Sequence, residues 1–231
     1  MKTNLTAIDS NPNLENTATA LTRERYQRIA TIYDRMEGLM ERRFRPWREN
    51  IWQFAHGPRI LEVGVGTGKN IEFWPADCKV TAIDLTPGML DIARQRAKTL
   101  NRVAANLFLG DVQHLDFPSR IFDTVIATFV FCSVPDPVQG LRELGRVVRP
   151  DGDILLLEHV RIDRPIIGPF MDALAPLIVR LNGANINRRT ITNVQLAGLK
   201  IDRVTDLDRM GMFKLIFARA AAEDLAARHV N

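Results

Sequence analysis

The feature that most constrains the fold is a glycine-rich loop that starts directly after a short apolar segment. Arg59–Val63 is predicted to be a β-strand, Gly64-Val65-Gly66-Thr67-Gly68 follows at once, and a helix is predicted from about Asn70. Glycine adopts positive φ angles without steric strain, so such a run turns the chain sharply and brings backbone amides close to a ligand. Glycine turns without a ligand are also common. The pattern therefore indicates either a ligand loop or a structural turn.

The glycine spacing and the acid before the loop narrow the kind of ligand. The spacing is Gly-x-Gly-x-Gly rather than the Gly-x-Gly-x-x-Gly of dinucleotide sites, and no Walker-type phosphate loop is present. Glu62 precedes the loop directly, which is atypical for a site that binds negative pyrophosphate. An acid and glycines suit a zwitterionic ligand with an amino group, and Asn70 is a candidate to contact its carboxylate.

Beyond the loop, short apolar strands alternate with helices. The predicted strands are Lys79–Asp84, Asn106–Leu109, Phe122–Phe129 and Asp153–Glu158. The predicted helices run from Pro87 to Leu100 and from Pro137 to Arg149. Strands that are apolar on both faces and separated by helices are typical of a parallel sheet that is covered on both sides.

The predicted fold class is α/β. Leu199–Asp206 and Phe213–Ala218 are predicted to close the sheet as a hairpin. The expected architecture is a Rossmann-like, doubly wound, mostly parallel sheet of seven strands, with an antiparallel C-terminal edge hairpin and an N-terminal helical cap. The expected divisions are a disordered tail at 1–21, the cap at 22–56, the α/β domain at 57–220 and a C-terminal tail at 221–231.

The N-terminal cap is predicted to be helical from about Thr22 to Ala55. Apolar side chains recur there at spacings of three and four, but Pro46 interrupts the pattern, so two helices meeting near Arg45 are expected. The arginines of this segment alternate with acidic residues. The segment is therefore either an ion-paired, solvated face or a contact for anionic lipid or an acidic partner.

A second unusual segment lies in a lid-like insertion at about residues 160–190. Ile166–Leu181 is apolar but contains Pro169 and Pro176, which predicts a broken helix or a lid. This segment either walls an acceptor pocket or is a buried core helix.

Composition excludes several functional classes. A net charge of +4 is small for a nucleic-acid-binding protein. The two cysteines, Cys78 and Cys132, cannot form a disulfide framework and lack metal-ligand spacing. The N-terminus has no hydrophobic signal core, and no stretch approaches 18 uninterrupted apolar residues. A cytoplasmic globular protein is expected, with no metal and no nucleic-acid partner.

Carboxylates stand at the ends of three predicted strands. Asp84 can accept hydrogen bonds from ribose hydroxyls, or it caps the next helix, a role that Thr86 would fill equally well. Asp111 can accept from an adenine amino group, or it is a turn residue. With Glu62, these residues lie at the ligand-binding edge of a parallel sheet. Their combination favours an adenosyl ligand over three unrelated caps.

At this point the chain resembles a known family. The loop with Glu62, the segments Asp84–Leu90 and Gly110–Val112, and the segment Val147–Gly152 are similar to successive motifs of class I S-adenosylmethionine-dependent methyltransferases. The resemblance covers roughly Tyr26 to Ala218, and Asp151 departs from the usual glycine in a turn. It implies that S-adenosylmethionine is the cofactor and S-adenosylhomocysteine the product.

The resemblance also implies which residues contact the cofactor. They are Tyr26, Glu62, Gly64, Gly66, Thr67, Gly68, Asn70, Asp84, Leu85, Met89, Asp111, Val112, Thr128 and Phe129. Glu62 and Gly64 are expected at the methionine end, and Asp84 and Leu85 at the ribose. Met89, Asp111 and Val112 are expected at the adenine. Thr128 and Phe129 are expected to border the sulfonium.

Within this class, several short motifs indicate a group. Tyr33-Asp34 is similar to ubiquinone and menaquinone C-methyltransferases and to bacterial phospholipid N-methyltransferases, in which an N-terminal helix closes over the cofactor. Phe131–Val134, Glu158-His159-Val160 and Gly183–Arg188 resemble membrane-associated thiol S-methyltransferases. We expect no N-terminal membrane anchor like theirs, and Glu158-His159-Val160 stands in place of the Asn-His-Phe associated with phospholipid methyltransferases.

The expected activity is methyl transfer to a small lipophilic or membrane-derived acceptor, with a thiol or the amine of phosphatidylethanolamine favoured. The alternatives are a quinone-precursor C-methyltransferase and an inactive cofactor-binding module. His159 is the candidate for acceptor deprotonation, or else a packing residue. Tyr33 is the candidate for orienting the acceptor, or else a core aromatic. The protein is expected to be a monomer or homodimer, with peripheral contact to anionic membrane.

Overall fold

A seven-stranded mixed sheet organises the residues that the computed structural model describes, which are 17–102, 106–182 and 185–221. The strands are β1 Arg59–Val63, β2 Lys79–Asp84, β3 Asn106–Leu109, β4 Phe122–Thr128, β5 Val148–His159, β6 Leu199–Asp206 and β7 Phe213–Ala220. Their order is β3-β2-β1-β4-β5-β7-β6. β1 to β5 run parallel, and β7 is antiparallel to both β5 and β6. The predicted fold class is confirmed.

The register of the central strands creates the edge at which a site can form. Val63, the last residue of β1, is level with Ile83 of β2 on one side and with Ala127 of β4 on the other. After β3 the chain crosses to the other side of β1 to form β4, so the strand order reverses at this point. In open α/β sheets, the crevice beyond the carboxyl ends of the strands at such a reversal is where ligands bind.

Helices cover both faces of the sheet and its carboxyl edge. They are α1 Thr17–Trp52, α2 Pro87–Thr99, α3 Pro137–Val147, α4 Ile167–Asn182 and α5 Thr190–Leu196. Apolar side chains of the strands pack into two buried clusters, one on each face of the sheet. Burial on both faces explains why the strand segments read as almost continuous apolar runs.

The N-terminal cap is a single helix, so the prediction of two helices meeting near Arg45 is wrong. Pro46 is exposed and lies inside α1, where it removes one backbone donor. Packing holds the helix on both sides of this point, because the ring of Phe44 lies 4.7 Å from that of Phe129 and the ring of Trp47 lies 5.1 Å from that of Phe213. These contacts outweigh the local effect of the proline.

The helix also begins at Thr17, five residues before the expected start. Residues 17–21, which were expected in the disordered tail, are therefore helical. Thr19 is buried and its hydroxyl accepts a 3.1 Å hydrogen bond from the side chain of Gln113, which anchors this first turn. The rest of the expected N-terminal tail, 1–16, and residues 222–231 of the expected C-terminal tail lie outside the described residues.

Two further boundaries differ from the sequence prediction. The helix expected from Asn70 is only a 3₁₀ turn, Ile71–Phe73, because Pro75 follows Trp74 and favours the extended backbone that Trp74 adopts. β5 begins at Val148 rather than Asp153, because a register shift opposite β4 absorbs the expected turn within the strand.

The insertion between β5 and α5 forms one helix rather than a broken one. α4 continues through Pro176, and its own residues Met171 and Ala175 are buried. Within the described part of the chain, no helix combines the length and the apolar character needed to cross a bilayer.

Candidate functional site

A cleft opens at the carboxyl edge of β1, β2, β3 and β4, where α1 lies across it. It encloses about 920 Å³ of space outside the protein atoms, part of it open to solvent. Most of the residues predicted from the sequence line it, namely Tyr26, Tyr33, Gly64, Gly66, Thr67, Asp84, Leu85, Met89, Asp111, Val112, Thr128 and Phe129. Glu62, Gly68, Asn70 and His159 are not among the described lining residues.

Two of the three glycines of the loop allow close packing, and the third faces open space. All have positive φ angles, with values of 66°, 56° and 81° for Gly64, Gly66 and Gly68. A Cβ atom on Gly64 would lie 2.5 Å from Val130, and one on Gly68 would lie 2.6 Å from Ile71, so both positions are needed for close packing. A Cβ on Gly66 would have nothing within 4 Å. Gly66 therefore presents its backbone to the open cleft.

Asp84 holds the glycine loop in place. Its Oδ2 accepts a 2.9 Å hydrogen bond from the backbone N–H of Gly66, and its Oδ1 accepts a 2.8 Å bond from the N–H of Thr86. Burial raises the pKa of this carboxyl, while the two backbone donors lower it. A carboxylate has about four lone-pair sites, so Asp84 retains acceptor capacity in the cleft that it lines.

Asp111 is fixed in a similar way at the end of β3. Gln113 donates to it from its backbone N–H at 2.9 Å and from its side-chain amide at 3.0 and 2.9 Å. The same amide donates to Thr19 of α1. Asp111 is therefore both a turn residue and a cleft residue, and Gln113 joins it to the covering helix.

Glu62 and Asn70 lie behind the cleft wall. The two carboxylate oxygens of Glu62 each accept a 2.7 Å hydrogen bond, one from Asn70 and one from the indole of Trp74. Burial raises the pKa of Glu62 to about 7, although the two donors and Arg48 act against the rise. Asn70 also donates to the hydroxyl of Thr128 at 2.9 Å. The acid before the loop thus positions Thr128 through Asn70.

Arg48 is a cleft residue that the sequence prediction missed. Its side chain comes from α1 and is only 6% exposed. Nη1 donates to the side-chain oxygens of Asn70 and Thr128 at 3.2 and 3.0 Å, and the guanidinium lies 5.2 Å from the ring centre of Phe129. Its spacing of four residues from Phe44 is shared by Arg25 after Leu21 and Arg43 after Leu39, so no signal in the sequence set Arg48 apart from the other arginines.

Ion pairs fasten α1 over the cleft. The buried ammonium of Lys69, in the glycine loop, lies 2.7 Å from a carboxylate oxygen of Glu37 and 3.2 Å from one of Glu41. Asp34 accepts a 2.7 Å hydrogen bond from Thr67 and pairs with Arg96 of α2. These acids of the N-terminal segment pair with Lys69 and Arg96 of the α/β domain, whereas one of the two interpretations expected them on a solvated face of the helix. Contact of this segment with anionic lipid stays a prediction.

Two tyrosines of α1 enter the cleft, and both remain protonated. Burial raises the pKa of Tyr26 and of Tyr33 well above the ordinary value, and nearby Glu37 adds to the effect. The hydroxyl of Tyr26 hydrogen-bonds to that of Ser133 in the loop after β4. Both tyrosines can therefore donate or accept a hydrogen bond, but neither is suited to act as a base.

His159 and Cys132, which are not among the described lining residues of the cleft, are linked to each other through Asn185. Nε2 of His159 is 3.2 Å from the backbone carbonyl oxygen of Asn185, whose N–H and side-chain amide both donate to the carbonyl of Cys132. Burial lowers the pKa of His159 and raises that of the Cys132 thiol to about 12. Both groups are therefore neutral near pH 7, and a catalytic role for His159 stays a prediction.

Glu158 is a second buried acid, after Glu62, and the sequence analysis did not predict its role in holding the loop after β4. One of its oxygens accepts hydrogen bonds of 2.9 and 3.0 Å from the backbone N–H groups of Val130 and Phe131. Burial raises its pKa to about 8, against the effect of these donors and of Arg188. Glu158 thus shapes the loop after β4, which forms one wall of the cleft.

Comparison with known proteins gives a consistent result. Residues 61–156 match the family described as a methyltransferase domain. A demethylmenaquinone methyltransferase of Clavibacter sepedonicus is 30% identical over 173 residues, 69% of this chain and 68% of that protein. A phosphatidylethanolamine N-methyltransferase of Cereibacter sphaeroides is 36% identical over 122 residues, 52% of this chain and 60% of that protein. A thiol S-methyltransferase of Homo sapiens is 37% identical over 144 residues, which is 58% of this chain and 55% of that protein.

The chain thus spans less than two thirds of the phosphatidylethanolamine and thiol methyltransferases that it matches. Among solved structures, a geranyl diphosphate C-methyltransferase of Streptomyces coelicolor has a TM-score of 0.63 at 13% identity, over 78% of this chain and 80% of that one. The [4+2]-cyclase SpnF has a TM-score of 0.62 at 18% identity, over 75% of this chain and 80% of that one. At such low identity these structures establish a shared fold only.

Proposed function

Because this chain belongs to the class I S-adenosylmethionine-dependent methyltransferases, we propose that it transfers a methyl group from that cofactor to a small lipophilic or membrane-derived acceptor. The observation that carries the proposal is the convergence of Gly66, Asp84 and Asp111 on one cleft at the carboxyl edge of the sheet. A glycine with open space and two carboxylates with spare acceptor capacity fit the hydroxyl and amino groups of an adenosyl ligand.

The two ends of the cleft differ in charge, which orients the ligand. Asp84 and Asp111 would bind the ribose and adenine, with Met89 and Val112 as apolar neighbours of the base. Arg48 lines the end at Thr128 and Phe129 and would attract the carboxylate of the amino-acid part. In this arrangement Glu62 and Asn70 act indirectly, by holding Thr128, rather than by direct contact with the methionine end.

The cofactor, when bound, supplies a methyl group that is already activated by a positively charged sulfur. The protein's own contribution is to align the acceptor and to exclude water. α1 helps to exclude water because its contacts with Thr67, Lys69 and Ser133 hold it across the cleft. Tyr33 lines the same space, and we assign it the orientation of the acceptor through its neutral hydroxyl.

The acceptor has to present a lone pair, so an amine has to be neutral and a thiol ionised before transfer. The identities to a phosphatidylethanolamine N-methyltransferase and to a thiol S-methyltransferase support these two acceptor classes. His159 remains the candidate to assist deprotonation. Its hydrogen bond to the carbonyl of Asn185 equally supports a positioning role, in which His159 holds Asn185 against Cys132.

Two alternatives have specific support. A quinone precursor as acceptor, methylated at carbon, is favoured by the demethylmenaquinone methyltransferase that matches 69% of the chain. A cofactor-binding protein without methyl transfer is the second alternative, since a protein described as a [4+2]-cyclase, SpnF, shares this fold. The ion-paired closure of α1 over the cleft favours an enzyme over a passive binder.

Calorimetry and a labelled-methyl assay test the proposal. The purified chain is expected to bind S-adenosylhomocysteine and to label at least one of three acceptors, phosphatidylethanolamine in vesicles, an alkyl thiol or a quinone precursor. Binding without transfer to any acceptor in a broad panel would favour the non-catalytic alternative. No binding of either S-adenosylmethionine or its product would contradict the proposed function as a whole.

A further inference from the structure

One face of α4 is apolar and has no partner among the described residues. Ile166, directly before the helix, is 83% exposed, Phe170 is 63% exposed and Leu177 is 56% exposed. Their spacing of four and seven residues places them on one side of the helix. Met171 and Ala175 face the opposite way and are buried. α4 is therefore packed against the protein along one side and presents large apolar side chains to solvent along the other.

Positive charge borders this apolar face at both ends. Arg164 precedes α4 and Arg180 lies in its last turn, both are exposed, and neither pairs with a carboxylate in the part of the chain that the structure describes. The acid of α4, Asp172, is held by Arg161 through hydrogen bonds of 2.8 to 3.2 Å. Arg161 also holds Asp163. The unpaired charges next to the apolar face are thus cationic.

We propose that the face formed by Ile166, Phe170 and Leu177, with Arg164 and Arg180 at its ends, docks on an anionic lipid bilayer. A helix with an apolar side and flanking cations lies in the bilayer interface, where the apolar side chains insert and the cations meet lipid phosphates. With 16 residues, α4 is about 24 Å long, which is shorter than the apolar thickness of about 30 Å. It therefore lies on the membrane rather than across it.

Charge also argues against a second copy of the chain as the occupant. If two α4 helices packed face to face in antiparallel orientation, Arg164 of one would approach Arg180 of the other. In parallel orientation each arginine would approach its own counterpart. Both arrangements bring cations together without a carboxylate to neutralise them, which disfavours a dimer through this face. Anionic headgroups neutralise both ends at once.

The position of α4 relates this surface to the cleft, and this part of the inference rests on the proposed function. α4 follows the carboxyl end of β5, and after it the chain returns to Asn185, which donates to the carbonyl of Cys132 beside the cleft residue Ser133. Docking through α4 would therefore hold the cleft end of the sheet near the bilayer from which a lipophilic acceptor comes.

Vesicle co-sedimentation tests the docking surface. The wild-type chain is expected to bind vesicles of phosphatidylcholine with 30 mol% phosphatidylglycerol at least about tenfold more tightly than pure phosphatidylcholine vesicles. The double variant Phe170→Ser/Leu177→Ser and the double variant Arg164→Gln/Arg180→Gln are each expected to lose about tenfold in affinity for the anionic vesicles. Leu196→Ser, which removes a 62% exposed leucine from α5, is the matched control and is expected to bind normally.

Calorimetry with S-adenosylhomocysteine on the same variants separates this inference from the proposed function, since unchanged affinity shows an intact fold and cleft. A wild-type chain that binds S-adenosylhomocysteine but not anionic vesicles would overturn the docking surface and leave the proposed function standing. The docking surface would also be overturned if the two α4 double variants sedimented with anionic vesicles as well as Leu196→Ser does. A wild-type dimer that Phe170→Ser/Leu177→Ser converts to a monomer would assign the face to a second copy and overturn the proposal.

Discussion

The guanidinium of Arg48 donates a 3.0 Å hydrogen bond to the hydroxyl oxygen of Thr128, across 80 residues of sequence. This bond joins the N-terminal helix to the carboxyl end of β4, so that cap and sheet together form one wall of the cleft. Arg48 is buried and lines the cleft. Its Nε pairs with Glu41 at 3.2 Å, while Nη1 is directed to Thr128 at the cleft. Because water screens this site poorly, the guanidinium attracts an anionic ligand group nearby.

Replacement of Arg48 with methionine tests its assignment to the cofactor carboxylate. We expect Arg48→Met to weaken S-adenosylhomocysteine binding by about 1.5–3 kcal/mol, the scale of hydrogen bonds between charged groups. Binding of methylthioadenosine, which lacks the amino-acid part, is expected to stay unchanged. Titration calorimetry with both ligands measures the difference. Arg45→Met, on the same helix but exposed and paired with Glu72, is the control, and equal losses for both ligands would contradict the assignment.

Replacement of Asp84 with alanine tests the ribose site. We expect Asp84→Ala to lower the affinity for S-adenosylhomocysteine by about 1–3 kcal/mol, because it removes a charged acceptor that lines the cleft. It also removes the anchor of the glycine loop at Gly66 and Thr86, so a lower Tm should accompany the effect. Asp91→Ala, an exposed position on α2, serves as the comparison. If calorimetry gave the wild-type affinity for Asp84→Ala, this carboxylate would have no part in binding.

Two substitutions of His159 distinguish positioning from proton transfer. We expect His159→Ala to slow turnover with nearly normal cofactor affinity, because the bond to the carbonyl of Asn185 is lost. Glutamine keeps a donor for that carbonyl but cannot take up a proton near pH 7, so His159→Gln is expected to recover most of the rate. The measurement is kcat over a range of pH. An equally slow glutamine variant, with loss of a pH-dependent limb, would assign proton transfer to the imidazole.

The buried acid Glu158 makes stability depend on pH. Its pKa is about 8 in the folded chain against 4.5 as the ordinary value, so its contribution to stability is fully present below about pH 4.5 and is lost as pH rises through about 8. Each pKa unit corresponds to about 1.4 kcal/mol. We therefore expect Tm to fall between pH 5 and 8, and Glu158→Gln to flatten that fall.

The comparison for this prediction is Glu72→Gln, at a partly exposed position beside Arg45. It should leave the pH dependence of Tm unchanged. Parallel Tm curves for wild type and Glu158→Gln between pH 5 and 8 would show that the carboxyl of Glu158 does not titrate in this range. Glu62, with a pKa raised to about 7, contributes with the same sign, so the variant should retain part of the slope.

The strands of the parallel sheet were predictable because each is a local apolar run, and the central ones, β1 and β4, are buried on both faces. For the same reason Asp84 and Asp111 could be placed at the ligand edge, since Asp84 ends one such run and Asp111 follows another after Gly110. The boundaries that failed depend on distant contacts. α1 continues through Pro46 because Phe44 and Trp47 pack on Phe129 and Phe213, and no local pattern encodes those partners.

The sequence alone determined the alternation of strands and helices, the glycine loop and the carboxylates at the strand ends, because backbone preference and apolar periodicity act over a few neighbouring residues. Only the tertiary structure decided that Glu62 lies behind the cleft, that Arg48 enters it and that the apolar side of α4 faces solvent. Which side of a helix is covered, and which charge meets which partner, depends on the packing of segments far apart in the chain.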